Sequence, residues 1–216
     1  TLYLDLIGDQ YLPRAVTRGI KSYKLSISVP MIYLGIDYEP PLEAHHSVIA
    51  ASPEDVNRFY FDHLKKGELM HQNFGLICWS SHTDPTLAPP GKHVLNLIPE
   101  GFYHLKDTNW DEEKPKFIER TIANLSKTAI PGLKDHVVMS DCASPLDFER
   151  KLLLPEGAIY CLQQDLAAMA VFRPACRSRN IKGLYLTGSS THPGGGVPTT
   201  IASGYICAGL IEKYEI

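Results

Sequence analysis

Several common signals are missing from this chain. Lys and Arg total 21 against 24 Asp and Glu, a net charge of −3 over 216 residues, so no basic surplus exists to neutralise nucleic-acid phosphates. The short basic clusters, Arg14 to Lys24 and Arg173 to Lys182, read at least as well as solvated loop faces. No apolar run approaches the roughly 20 residues of a membrane span, and mean hydropathy is −0.12. Cys78, Cys142, Cys161, Cys176 and Cys207 are scattered without a CxxC pair. That disfavours a disulfide framework or a zinc knuckle and suits a reducing, cytoplasmic setting. The chain also lacks GxGxxG, the phosphate loop GxxxxGKS/T, GxSxG and HExxH, and with them the fingerprints of nucleotide binding, serine hydrolysis and zinc proteolysis.

What is present is an ordinary globular composition, 44% hydrophobic and 21% charged. The chain opens at Thr1 without Met and shows no signal-peptide pattern, so a piece of a longer protein is expected. Residues 2–20 read as a short helix and a turn. Residues 24–38 read as a strand in which Leu25, Ile27 and Val29 alternate with polar residues and Pro30 marks an edge or bulge. Short strands are expected over 45–51, 74–81, 92–100 and 136–140. Ser52 caps a helix that runs to Gly67, a second helix starts at Trp110 and reaches about Ala129, and a third opens at Ser144. Residues 154–162 read as a loop entering a strand. The expected class is α+β, an antiparallel sheet flanked by helices.

The last 36 residues differ in character. Leu184–Leu186 reads as an apolar strand, Thr187–Gly196 as a glycine-rich loop, and Pro198 suits the first turn of a following helix. Unpaired N–H groups and about half a positive charge collect at such a helix start. Gly188 leaves room for a phosphate or ribityl chain against the backbone, and Gly194, Gly195 and Gly196 bare the main chain to a flat ring. A flavin would gain from this, because negative charge grows at its N1 and C2 carbonyl when hydride reaches N5. The same glycines equally suit a loop that needs positive φ to turn sharply.

Residues 183–211, GLYLTGSSTHPGGGVPTTIASGYICAGLI, closely resemble the carboxyl-terminal signature of the phytoene desaturase/carotenoid oxidoreductase family, which includes retinol saturases. Residues 171–188, 144–162, 82–98 and 23–38 are similar to further stretches of that family. The resemblance implies a substrate-binding α+β domain over 1–165 and, over 166–216, the last segment of a Rossmann-like FAD domain whose amino-terminal half is absent. It implies that Gly188 and Ser189 lie by the ribityl–pyrophosphate region of FAD. Gly195, Gly196, Val197, Pro198 and Thr199 would lie under the flavin ring, and His192 would order the loop by hydrogen bonding. The implied activity is FAD-dependent oxidoreduction of C–C bonds in a long apolar isoprenoid, a carotenoid or retinoid. Hydride would pass to or from flavin N5, with catalysis supplied by positioning. The implied partners are the missing nucleotide-binding half, in the same or a companion chain, and a membrane surface touched peripherally. A second reading is a flavoprotein-derived fragment acting as a binding or assembly module.

Other polar residues read more plainly. Asp84 is expected to bond its own backbone in a turn, and Arg173 to pair with an internal carboxylate rather than a FAD phosphate. Adjacent His45 and His46 should point to opposite faces of a strand, and His63, His71, His82, His93, His104 and His136 show no ligand spacing, so no metal is expected. Ser189 and Ser190 with His192 lack the setting of a hydrolase. Tyr33, Phe74, Ile77, Trp79, Leu95 and Leu97 are read first as core and second as the lining of a polyene tunnel.

Overall fold

A computed structural model describes residues 2–70, 75–169 and 172–216; the expectations that fell on His71, Phe74 and Val171 lie outside them. The strands are β1 (Met31–Ile36), β2 (His46–Ile49), β3 (Gly75–Trp79), β4 (His93–Pro99) and β5 (Val137–Ala143). The helices are α1 (Arg14–Ser22), α2 (Pro53–Arg58), α3 (Leu64–Lys66), α4 (Ser80–Thr83), α5 (Trp110–Lys127), α6 (Leu133–His136), α7 (Pro145–Leu152) and α8 (Val197–Glu215). They form two compact units: Ser28–Gly157, and the two chain ends, Thr1–Ile27 with Ala158–Ile216. Compactness divides the chain at 27/28 and 157/158.

Unit 28–157 is built on an antiparallel sheet of order β2-β3-β4-β1-β5. One face is apolar at every second residue: Ile32, Leu34 and Ile36 of β1, Leu95 and Leu97 of β4, Ile77 and Trp79 of β3. The register sets Ile32 opposite Leu97 and Leu34 opposite Leu95, cross-strand apolar pairs of the kind that stabilise a sheet. Trp110, Phe117, Ile122 and Leu125 of α5 join the same cluster. Full burial of each such side chain contributes about 1.5–3 kcal/mol. Asn109 caps α5 by accepting from the amides of Asp111 and Glu112. Ser144 and Asp147 form a capping box on α7. Burial alone would raise the Asp147 carboxyl, but bonds from Lys114 and from the Ser144 backbone and hydroxyl outweigh it and hold it at about 2.

The opposite sheet face stays open. It carries Met31 and Tyr33 of β1, Asn96 and Ile98 of β4, and Leu76 and Cys78 of β3, none of them buried. Ile77, Trp79, Leu95 and Leu97 are thus core, and among the described tunnel candidates only Tyr33 is on the open side. Asp84 accepts from the Thr86 amide at 3.0 Å, the turn expected for it.

Three strand expectations fail. Residues 24–30 are not a strand; pairing starts at Met31, after Pro30, which has no N–H to give a ladder. Buried parity is also reversed there, with Ser28 and Pro30 inside while Leu25, Ile27 and Val29 are half-buried. Around 154–162 the described residues form one bridge, Leu25–Leu162, with main-chain bonds from Ser26 to Cys161, Ile159 to Ile27 and Gln163 to Lys24, and around Leu184–Leu186 one bridge, Arg177–Tyr185, without a regular strand. His45 lies just outside β2, so strand alternation does not govern its direction, and it meets His46 and Cys78 instead of pointing away from them.

Among the described residues no helix is long and apolar enough to cross a membrane.

Candidate functional site

The glycine-rich loop and the start of α8 belong to the unit formed by the two chain ends. Gly196 is the N-cap of α8, with φ 112° and ψ 147°, and no side chain caps the helix. Pro198 in the first turn brings no N–H. The Thr199 hydroxyl donates to the carbonyls of Gly195 and Gly196, both at 2.8 Å. That tightens the chain entering the helix and leaves its first amides without a side-chain acceptor. With no acidic residue in the first turn, the partial positive charge of the helix end is uncompensated there.

The glycines have separable roles. Gly196 sits at a φ that side chains resist. Gly195 does not; a Cβ there would come within 2.7 Å of the Tyr160 ring and Cβ, so close packing against Tyr160 demands glycine. Gly188 has φ 115° and no heavy atom within 4 Å of where a Cβ would be. Its approach is open, yet its N–H is already spent on Ser203 Oγ at 2.9 Å.

Two residues that hold the loop were missed or misread in the sequence. Ser203, fully buried on α8, accepts from Gly188, bonds Thr187 Oγ1 at 2.7 Å and donates to the Thr200 carbonyl at 2.6 Å. Its only sequence signal is a small hydroxyl residue within the helix. Arg173 is 4% exposed and, contrary to expectation, pairs with no carboxylate among the described residues. Its guanidinium donates to the carbonyls of Thr191 at 2.8 Å, Ala168 at 2.9 Å and Ser189. Burial holds its pKa below the ordinary arginine value, as expected of a cation solvated by carbonyl dipoles without a counter-charge.

The remaining expected site residues divide. Ser189 turns its hydroxyl to Cys161 Sγ at 2.9 Å. His192 is exposed; its carbonyl accepts from Cys176 Sγ at 3.5 Å, while its ring makes none of the hydrogen bonds that order the loop. Thr191 does that work, bonding the Gly188 carbonyl through its amide at 3.1 Å and its hydroxyl at 2.9 Å. Val197 is exposed at the helix start. Gly195, Gly196, Val197, Pro198 and Thr199 are thus brought together, Gly188 and Ser189 are latched by Ser203 and Arg173, and His192 stands apart from that bonding.

No family model matches the chain. It is 30% identical over 209 residues to a lycopene-forming phytoene desaturase of a Paracoccus species, covering 93% of this chain and 40% of that protein. It is 31% identical over 217 residues to the lycopene-forming phytoene desaturase of Pantoea ananas, covering 97% and 42%. The 4,4'-diaponeurosporene oxygenase of Staphylococcus haemolyticus is 28% identical over 213 residues, with 99% and 42% covered. The chain spans about two-fifths of the length of these curated relatives. A solved oxidoreductase from Methanosarcina mazei overlays with a TM-score of 0.48 and 14% identity over 96% of this chain and 40% of that one, too slight a likeness to carry an argument.

Proposed function

The chain is related to the phytoene desaturase/carotenoid oxidoreductase family over most of its length, and from that premise we propose that it is part of an FAD-dependent oxidoreductase acting on C–C bonds of a long apolar isoprenoid. The observation that carries the reading is the start of α8: a bare Gly196 cap at φ 112°, a first turn with neither side-chain cap nor acidic residue, and amides free to face an electron-rich ring edge.

The residues fit a flavin in part. Gly196, Val197 and Thr199 would hold the ring edge with main-chain amides, while Pro198 fixes the first turn without competing for them. Gly188 and Ser189 would border the ribityl chain through open space rather than through a donor, since the Gly188 N–H is taken by Ser203. Among the described residues the His192 ring makes none of the hydrogen bonds of the loop, and being exposed it is free to meet a ligand. When bound, the flavin supplies two-electron redox chemistry at N5. The protein positions the ring, and Arg173 keeps the loop carbonyls of Ser189 and Thr191 turned inward, away from an electron-rich ring.

The adenosine end of FAD needs a nucleotide-binding half, in the same or a companion chain. Val197, Ile201 and Tyr205 support this: at i, i+4 and i+8 on α8 they are 75%, 56% and 78% exposed, an apolar stripe suited to burial against such a half. For the substrate, the open sheet face with Met31, Tyr33, Leu76 and Ile98 offers apolar surface to a polyene, and a lipid-dissolved substrate would favour peripheral membrane contact.

Co-purification of the chain with the amino-terminal half of the Pantoea ananas phytoene desaturase tests the reading. Bound flavin absorbance that is lost in Gly196→Val, with unit 28–157 still folded, is the expected result. A colourless complex that cannot be reconstituted with FAD overturns it and leaves an assembly module.

A further inference from the structure

We propose that His45, His46 and Cys78 bind one divalent cation of the zinc type, at a site separate from the loop before α8. Their ligand atoms all lie within 4.8 Å of one another, and all three belong to unit 28–157. The sheet assembles them. Antiparallel pairing sets His46 directly opposite Cys78, so both side chains share the open face. The Trp79 amide donates to the His45 carbonyl at 2.7 Å and fixes the residue before β2 beside the end of β3. The imidazole of His45 then reaches the Cys78 thiol, Nε2 to Sγ 3.1 Å, and its ring centroid lies 4.5 Å from that of His46.

The tautomer is set by a neighbour. Thr83 Oγ1 bonds His45 Nδ1 and is placed to donate its own proton to the Ser80 carbonyl at 3.4 Å. With the Thr83 proton on Ser80, Nδ1 is the donor in that pair and the Nε2 lone pair is aimed at Cys78. A metal-bound histidine is typically held in this way by an acceptor on its other nitrogen. A tetrahedral ion with Zn–S of about 2.3 Å and Zn–N of about 2.05 Å separates S from N by about 3.6 Å. The pair needs to open by only about half an ångström. Two imidazoles and a thiol disfavour magnesium and calcium, which take oxygen ligands, and suit zinc. Three protein ligands leave a fourth position for water. Cys78 is a free thiol, so binding forms the S–metal bond as the S–H proton passes to solvent, one proton released per ion. The ion would tie the edge strand β2 to β3.

The test is titration of the intact chain with Co²⁺, followed by displacement with Zn²⁺. Expected are one equivalent bound, a near-ultraviolet thiolate-to-cobalt band with tetrahedral visible bands, loss of both on adding Zn²⁺, and tighter binding as pH rises. Cys78→Ser should remove the charge-transfer band. His46→Gln, at an exposed position that packs in no core, should weaken binding at least ~10-fold, and Thr83→Val by ~10–100-fold. Absence of the thiolate band in the wild-type chain overturns the site, leaving a thiol–imidazole hydrogen bond without an ion. So does a band that persists in Cys78→Ser, or unchanged affinity in His46→Gln.

Discussion

The two compact units are held by different physics. Unit 28–157 buries a contiguous apolar cluster in which eleven side chains, from Ile32 to Leu133, are at most 1% exposed, Trp79 being next at 2%. In the unit of the chain ends the buried hydrophobics are few and small beside Leu12: Ala158, Ala168, Cys176 and Cys207. There the order comes from polar hubs, Arg173 on three carbonyls and Ser203 on the Gly188 loop. Its longest helix meanwhile exposes Ile201, Tyr205 and Tyr214. A sheet with a covering helix is a complete solution for apolar burial. A loop fixed by carbonyl clamps, in the same unit as a helix with exposed apolar side chains, leaves much of its apolar surface unburied.

Breaking the apolar unit should have the largest effect. Phe117, 1% exposed and edge-on to Trp110 at 5.3 Å, should cost about 3–5 kcal/mol when changed to Ala, read as a lowered urea midpoint. A loss under 1 kcal/mol would mean that α5 does not hold the sheet. Next comes Arg173→Met, which strands three carbonyls, two of them buried, and should cost about 3 kcal/mol. Its signature is local: hydrogen exchange should quicken across 158–216 while amides of β1 and β4 keep their protection. Equal loosening of both would erase the contrast between the units.

The apolar unit was the more legible in sequence for the same reason that it is stable. The Ser52 cap, the Gly67 stop and the amphipathic run after Trp110 are local signals, and each is met in α2, α3 and α5. The alternation in 24–29 misled because Pro30 moved the start of pairing, which no local pattern displays. The chain ends are organised by contacts distant in sequence, such as Arg173 to Thr191 and Gly188 to Ser203, so a motif could indicate the loop but not its clamps. Glycines at 194–196 suggested either a bare main chain for a flat ring or a sharp turn at positive φ. The structure divides them, with Gly195 explained by Tyr160 and Gly196 by its backbone angle. The adjacent histidines were assigned to opposite faces by a rule that holds only inside a strand, and His45 is outside it.

Ser203→Ala sharpens the comparison at a single latch. It unties the Gly188 amide and the Thr187 hydroxyl and should cost about 1–2 kcal/mol. Exchange at the Gly188 amide should rise well above that of the Thr200 amide, whose bond to Gly196 at 2.9 Å remains. Unchanged protection at Gly188 would show that Arg173 alone fixes the loop.

The smallest effect tests whether unit 28–157 carries a polar penalty of its own. Burial pushes the Glu100 carboxyl up to about 7, from an ordinary value near 4.5. Between those values the folded chain holds a proton that the unfolded chain has released, so stability falls as pH rises through this window and is level above it. Glu100 keeps some water, since it is only half-buried, and the gain from Glu100→Gln should therefore be about 1 kcal/mol at pH 8, below the full linkage value. At pH 4 the variant and the parent should unfold at the same urea concentration. A gain that is the same at both pH values would assign the effect to packing rather than to ionisation, and would leave unit 28–157 without an electrostatic weakness to set against the carbonyl-bound charge of Arg173.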